Sequence, residues 1–265
     1  MPKTPTDPLL ADLAPIGSLW IDGPLSWLEI ASIRSFIDLG HDYVLYTYGD
    51  VPNVPEGAQV RDAREVWAND TIILHSKAHS PAIHADVFRA IMVRDTGRVW
   101  VDTDIIALKP FSASLQWFIG HERDDRLLLG NAVMGAPEGS ETIRAMVDFL
   151  TSDDPVPPWI NPRQRQNLDA LRDADGRLNM GDLPWGTTGP QALTHFAQET
   201  GELVHAQPTH VFFPISFRDR KLLTENANLD RAMQLTSQDG TLAVHLYSRW
   251  MRKYTKGMRG GVPSR

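Results

Sequence analysis

The feature that most narrows the fold is a short apolar stretch near position 100 that is interrupted by two carboxylates. Val99-Trp100-Val101 and Ile105-Ile106 bracket Asp102-Thr103-Asp104, and Lys109-Pro110 closes the run. Branched and aromatic side chains favour a buried strand, so these acids stand where desolvation penalises charge steeply unless a cation compensates. In an extended segment side chains at i and i+2 point the same way, which puts Asp102 and Asp104 on one surface and Thr103 on the other. Two hard oxygen ligands then share a face, and Mg²⁺ or Mn²⁺ suits them, taking its remaining ligands from phosphate and water. An acidic turn can produce the same triplet by chance, and the triplet alone leaves both readings open.

The surrounding pattern alternates strands and helices. Ile16 to Ile21, closed by Asp22-Gly23-Pro24, predicts a buried strand running into a turn. Ser26 to Leu39 has helical spacing with Gly40 as terminator, and Tyr43 to Tyr48 is a second strand. Ser80-Pro81 caps a helix that ends at Gly97 and leads into the acid-bearing run. Leu127 to Met134 predicts a strand, Ser140 to Leu150 a helix, and Thr151 to Gly189 a long, partly helical, Pro-rich excursion. A helix from Thr188-Gly189-Pro190 to about Gly201, and strands over Val211 to Ile215 and Leu242 to Tyr247, complete an α/β chain.

Composition removes several function classes. With 26 basic and 33 acidic residues the net charge of −7 speaks against a nucleic-acid binder, whose affinity rests on neutralising phosphates. The 42% of hydrophobic residues is enough for a sizeable core and argues against disorder. The absence of cysteine excludes disulfides, thiolate metal sites and a Cys nucleophile, so any metal must use oxygen or imidazole. Met1 to Pro15 is too interrupted by proline for a signal segment, and no run reaches the length of a membrane span; a soluble cytoplasmic protein is expected. From Arg249 onward the chain has Arg249, Arg252, Lys253, Lys256, Arg259 and Arg265 and no acid. A solvated tail, contact with a substrate diphosphate, and peripheral contact with anionic lipid at the inner membrane face all fit that run.

Further residues join the acids as candidates. Asp86 and Arg89 lie at i, i+3 on the helix before the acidic run and share a face, as a surface ion pair or as a binding pair. Ala243 to Trp250 carries His245 inside an apolar strand, where it is either a satisfied core residue or a third ligand for Mn²⁺. Gly130-Asn131 ends a strand, as a turn or as an amide that reaches a ligand. Thr188-Gly189-Pro190 opens a helix whose free N–H groups suit an anion or a sugar hydroxyl, or are simply capped. Asp182 and Trp185 lie in the Pro-rich excursion, where the ring either anchors its loop or stacks on an acceptor.

Together these residues resemble a family. Ala85-Asp86-Val87-Phe88-Arg89, Gly97-Arg98-Val99-Trp100-Val101-Asp102-Thr103-Asp104 and Leu108-Lys109-Pro110 resemble the DXD-containing sugar-binding region of retaining glycosyltransferases. That group includes α-mannosyl- and α-1,4-galactosyltransferases and capsular-polysaccharide enzymes. The run is also similar to the catalytic domain of the large glucosylating cytotoxins, which share Asp-x-x-Arg, Asp-x-Asp and a C-terminal Ser-x-Trp. The likeness covers most of the chain and is most specific over residues 85–110 and 243–250. Relatives usually have Gly-Gly where this chain has Gly97-Arg98, and often an aromatic residue where it has Ala90; one glycine suffices if the turn needs a single positive φ.

The resemblance implies a GT-A fold: one α/β domain over residues 1–265, with a mostly parallel central sheet flanked by helices. Residues 16–110 would form the nucleotide-sugar half, and residues 111–265 the acceptor half with the C-terminal metal- and phosphate-contacting segment. It implies transfer of a hexose, with retention, from a nucleotide diphosphate sugar (UDP-sugar favoured, GDP-sugar possible) to a hydroxyl acceptor such as a glycan. Trp20 would stack on the base, and Asp86 and Arg89 would bind sugar and ribose; beside the resemblance, Gly189 is expected among the donor-binding residues. Asp102 would contact the ribose and assist the metal, with Asp104 and His245 as direct ligands of Mn²⁺ or Mg²⁺. Ser248 and Trp250 would approach the leaving diphosphate; beside the resemblance, the Asn131 amide is expected to reach the donor or acceptor as a catalytic residue. The competing expectations are a Mg²⁺-dependent phosphohydrolase with an Asp nucleophile and a carbohydrate-binding module without turnover.

Overall fold

A computed structural model describes residues 12–255 apart from Asp22. Most of the N-terminal Pro-rich stretch, and Lys256, Arg259 and Arg265 of the basic tail, lie outside the described residues. Strand β1 (Ile16–Trp20) leads to helix α1 (Trp27–Ile37). Ser26 caps that helix, and Glu29 returns a hydrogen bond from the Ser26 amide (2.7 Å), a reciprocal box that satisfies otherwise unpaired donors. Strand β2 (Tyr43–Thr47) is fully buried and β3 (Gln59–Asp62) is an exposed edge. Helix α2 (Ala82–Thr96) starts one residue beyond Pro81 and ends at Gly97, whose φ of 64° stops the helix. Strand β4 (Val99–Val101) follows at once.

After β4 come the short strands β5 (Ile105–Ala107), β6 (Gly120–His121), β7 (Leu129–Gly130) and β8 (Val133–Met134). Helices α3 (Glu141–Leu150), α4 (Pro162–Asp169), α5 (Ala192–Glu199), α6 (Thr209–Phe212) and α7 (Leu229–Thr236) are next. Strand β9 (Ala243–His245) and helix α8 (Ser248–Thr255) complete the described chain. The central sheet has the order β3-β2-β1-β4-β8, parallel except for β8. Two antiparallel ribbons, β5–β9 and β6–β7, stand beside it. One apolar core packs α2, α3 and α5 on one side; the other gathers Ile33 and Phe36 of α1 with Phe111, Phe212 and Phe213. The α/β class with a mostly parallel sheet between helices is as expected.

Three local expectations are corrected. The residues from Leu127 to Met134 form two strands broken at Asn131, whose backbone and side chain are drawn into contacts with α2. Val211 to Ile215 is not a strand: α6 occupies Thr209–Phe212 between Pro208 and Pro214, and a five-residue apolar run is too short for periodicity to separate the two states. Residues 187–191 form a wide π-type turn with Pro190 inside it, and the regular helix starts only at Ala192. The Pro-rich excursion is partly helical as expected, with α4 and a small core of Leu168, Leu178 and Leu183. Among the described residues no helix is long and apolar enough to cross a membrane.

The strand order places the site. The chain moves from β1 to β2 and β3, then returns through α2 to put β4 on the opposite side of β1. In open parallel sheets such a reversal leaves a crevice at the carboxyl ends of the strands. Asp102 is the first residue after β4, and Trp20 ends β1.

Candidate active site

Asp102, Thr103 and Asp104 form a turn rather than continuing the strand, closed by the Ile105 amide on the Asp102 carbonyl (3.0 Å). The acids therefore converge by chain reversal, not by strand alternation. Strand β5 then pairs antiparallel with β9, with Ile105 opposite His245. This register carries an imidazole from the far end of the chain to the acids. His245 Nε2 lies 3.2 Å from Asp104 Oδ1. The Leu246 amide donates to the Asp104 carbonyl (2.9 Å), and the Ser248 amide, at the start of α8, donates to Asp104 Oδ2 (2.6 Å). One ligand atom each from Asp102, Asp104 and His245 falls within 4.8 Å of the others. Two carboxylates and an imidazole are a donor set for Mn²⁺ or Mg²⁺, and the residues fit such an ion.

Next to this corner Arg89 ties the acids to α2. Its guanidinium lies 3.3 Å from Asp86 and 3.1 Å from Asp102, donates to the Asn131 carbonyl (2.5 Å) and rests on the Trp100 ring (4.7 Å). The Trp100 indole N–H donates to Asp102 Oδ1 (2.7 Å). Asp86 also accepts from Thr188 Oγ1 (2.6 Å) and Asn131 Nδ2 (2.8 Å). Gly189 lies against this cluster: a Cβ there would stand 2.5 Å from Asn131 Nδ2 and about 3 Å from both Asp86 oxygens, so only glycine fits.

Electrostatics separates the acids. Burial would raise Asp104, but the neighbouring His245, hydrogen bonds from it, and the Ser248 amide more than offset that and hold its pKa at about 2. Asp102 is raised by burial despite Arg89, and the nearby Asp104 charge pushes the same way. Burial would lower His245, but Asp104, Asp102 and Glu122 together raise it. Asp86 is raised by burial, with Arg89, Thr188 and Asn131 countering. The corner thus keeps Asp104 ionised and favours the protonated form of the imidazole beside it, a charge pattern that a divalent ion can replace.

A cavity of about 820 Å³ opens over these groups, and Asp86, Arg89, Asp102, Asn131, Thr188 and His245 line it. Gly130 and Trp185 line it too. Asp104, Asp182, Gly189, Trp20, Ser248 and Trp250 are not among its lining residues. The Trp20 indole N–H donates to the Gly23 carbonyl (2.8 Å), and the Arg252 guanidinium lies 5.9 Å from its ring. Arg252 also pairs with Glu29, joining α8 to α1. Trp250 lies beneath Arg220 (4.6 Å), and its buried indole N–H has no partner among the described residues. Glu122, a cavity residue whose pKa burial raises, carries no sequence signal beyond a polar hairpin. The Thr188 contact to Asp86 is likewise invisible before folding.

No protein-family model matches the chain, and no curated protein matches it significantly. Among solved structures it is similar to the PaToxG glycosyltransferase, at 15% identity over 86% of this chain and 78% of that one, with a TM-score of 0.45. It is also similar to the WbbM bifunctional glycosyltransferase in its apo form, at 16% identity over 45% of this chain and 24% of that one, with a TM-score of 0.27.

Proposed function

We propose that the protein is a metal-dependent retaining glycosyltransferase that moves a hexose from a nucleotide diphosphate sugar to a hydroxyl acceptor. The observation that carries this reading is the meeting of Asp102, Asp104 and His245 within 4.8 Å beside the Asp86–Arg89–Asn131 cluster, with Asp102, His245 and that cluster lining one cavity. A divalent ion on those three residues supplies neutralisation of the charge that builds on a departing diphosphate. The protein's own groups do the rest. Asp86, held in place by Thr188, Asn131 and Arg89, keeps lone pairs for sugar hydroxyls, and Arg89 is pinned by the Trp100 face. We assign the Ser248 hydroxyl and the Trp250 N–H, which do not line the cavity in this structure, as donors to the leaving phosphate oxygen, where hydrogen bonds stabilise developing charge. The C1–O bond to the diphosphate breaks as the acceptor oxygen joins C1 from the same face. The acceptor proton passes to the departing phosphate oxygen.

Incubation with UDP- and GDP-hexoses, Mn²⁺ and an acceptor panel tests this, with nucleoside diphosphate release and the anomeric NMR signal of the product as readouts. Release that requires Mn²⁺, with retained configuration, is expected. Phosphate release from sugar phosphates would favour a phosphohydrolase instead, and binding without turnover of any donor would favour a binding module.

A further inference from the structure

His75, Trp159, Trp185, Gln191 and His195 give the cavity a wall of rings and one amide, and Glu122, Arg123, Arg126 and Arg218 also line the cavity. Trp185 is 54% exposed although it lines a cavity, and its ring lies 5.4 Å from that of His75. Trp159 packs on His195 at 4.9 Å and donates its indole N–H to Gln191 Oε1 (3.3 Å).

His75 is the second observation that points to a ligand. It is only 7% exposed, and its Nδ1 accepts from the amides of Lys77 (3.2 Å) and Ala78 (3.1 Å). A nitrogen that accepts cannot carry the proton, so the neutral ring holds it on Nε2. That Nε2–H is buried and has no partner among the described residues. A buried donor left unpaired is costly, and such groups in native structures answer to a bound molecule or water. The geometry around it is fixed: the His75 amide donates to the Ser80 carbonyl (2.9 Å), and the Ser76 amide to the Gly181 carbonyl (2.8 Å), tying the His75 loop to the excursion that presents Trp185.

We infer that this wall is the acceptor subsite and that it takes the pyranose ring of a glycan. An indole face packs against the C–H face of a sugar, while its hydroxyls take in-plane hydrogen bonds from an imidazole N–H and from amide groups. Trp159, Trp185 and Gln191 carry no charge, which fits an uncharged ring. The position also fits: Trp185 is three residues before Thr188, which holds Asp86, so the wall begins within about 11 Å of the corner where the donor sugar is placed. The inference rests on the glycosyl-transfer reading for the word acceptor, but the ring-binding site is tested separately from it.

The test uses the full chain with Mn²⁺ and saturation-transfer NMR against methyl glucosides, galactosides and mannosides and their disaccharides, with octyl glycosides as a second arm. Ring C–H signals are expected for at least one sugar. Trp185→Ala should weaken its binding about tenfold, and raise the KM for the same sugar as acceptor more than it lowers kcat. His75→Asn keeps an acceptor for the Lys77 and Ala78 amides and removes the Nε2–H; it should weaken binding severalfold with the melting temperature close to that of the unmodified protein. A methyl and an octyl glycoside should bind alike. The subsite is overturned if no sugar binds, if Trp185→Ala binds as tightly as the unmodified protein, or if an octyl glycoside gains affinity that survives Trp185→Ala. Donor hydrolysis without any acceptor keeps the two readings apart. Turnover of a donor with no sugar bound sinks the subsite alone, and sugar binding with no donor turned over sinks the transfer reading alone.

Discussion

The two ends of the cavity are built in different ways. The acid end is set by backbone: a turn at the end of β4, the β5–β9 register and the first amide of α8 place Asp104, His245 and Ser248 together although Ser248 and Asp104 are 144 residues apart. Asp104 is buried and Asp102 half-buried, and both are multiply bonded. The aromatic end is built by loops, with an exposed indole and an imidazole donor left without a partner among the described residues. Strand ladders hold geometry more tightly than loops do, and chemistry needs geometry within fractions of an ångström. Recognition of a variable partner tolerates, and exploits, loops on a rigid scaffold. The contrast predicts that changes at the acid end remove turnover, while changes at the aromatic end shift affinity.

The largest effect should come from Asp104→Asn. The amide oxygen can still accept from the Ser248 N–H, so the fold should survive, but the negative ligand beside His245 is gone. Nucleoside diphosphate release should fall about a thousandfold; turnover near that of the unmodified protein would detach the acid corner from the reaction. Next is Gly189→Ala, which drives a methyl group into Asn131 and Asp86. Overpacking of this kind costs about 2 kcal/mol, visible as a lower melting temperature, together with weaker donor binding as Asp86 shifts. A stable, fully active variant would show that the Asp86 cluster is looser than its hydrogen bonds indicate.

A third effect concerns protons. Asp104, Asp102 and Glu122 raise His245 against the effect of burial, so in the metal-free protein the imidazole stays charged above its ordinary value of 6.5. Only the neutral ring can ligate. Mn²⁺ affinity should therefore fall as the pH drops below that raised value, about tenfold per pH unit while one proton competes. Manganese EPR titrations at several pH values check this, and an affinity indifferent to pH between about 5 and 7 would exclude His245 as a ligand.

The same contrast explains what could be read before folding. Branched runs marked β1, β2, β4 and β5, and i, i+3 spacing on α2 brought Asp86 and Arg89 to 3.3 Å. The acids and His245 were legible as residue types, since carboxylates and imidazole in apolar runs need a compensating partner. Their meeting depends on the β5–β9 register, which no local pattern contains. The break at Asn131 arises because Arg89 donates to its carbonyl and its side-chain amide donates to Asp86, a tertiary effect that overrides strand propensity. His75 gives no sign in the sequence: its importance lies in which nitrogen the neighbouring loop amides occupy.

The smallest effect sharpens the comparison by separating backbone strain from packing. Gly97 ends α2 with φ 64° and delivers the chain to β4, yet a Cβ there meets nothing within 4 Å. Gly97→Ala should cost about 1 kcal/mol through backbone conformation alone, lowering the melting temperature by about 2–4 °C for a chain of this size. Because β4 is held on both sides, by β1 and by β8, the turn carrying Asp102 and Asp104 should keep its place and turnover should be unchanged. Stability lost without activity is thus expected at Gly97, and both lost at Gly189. If Gly97→Ala also removed turnover, the acid corner would depend on the exact seating of α2, and the ladder would not be what fixes its geometry.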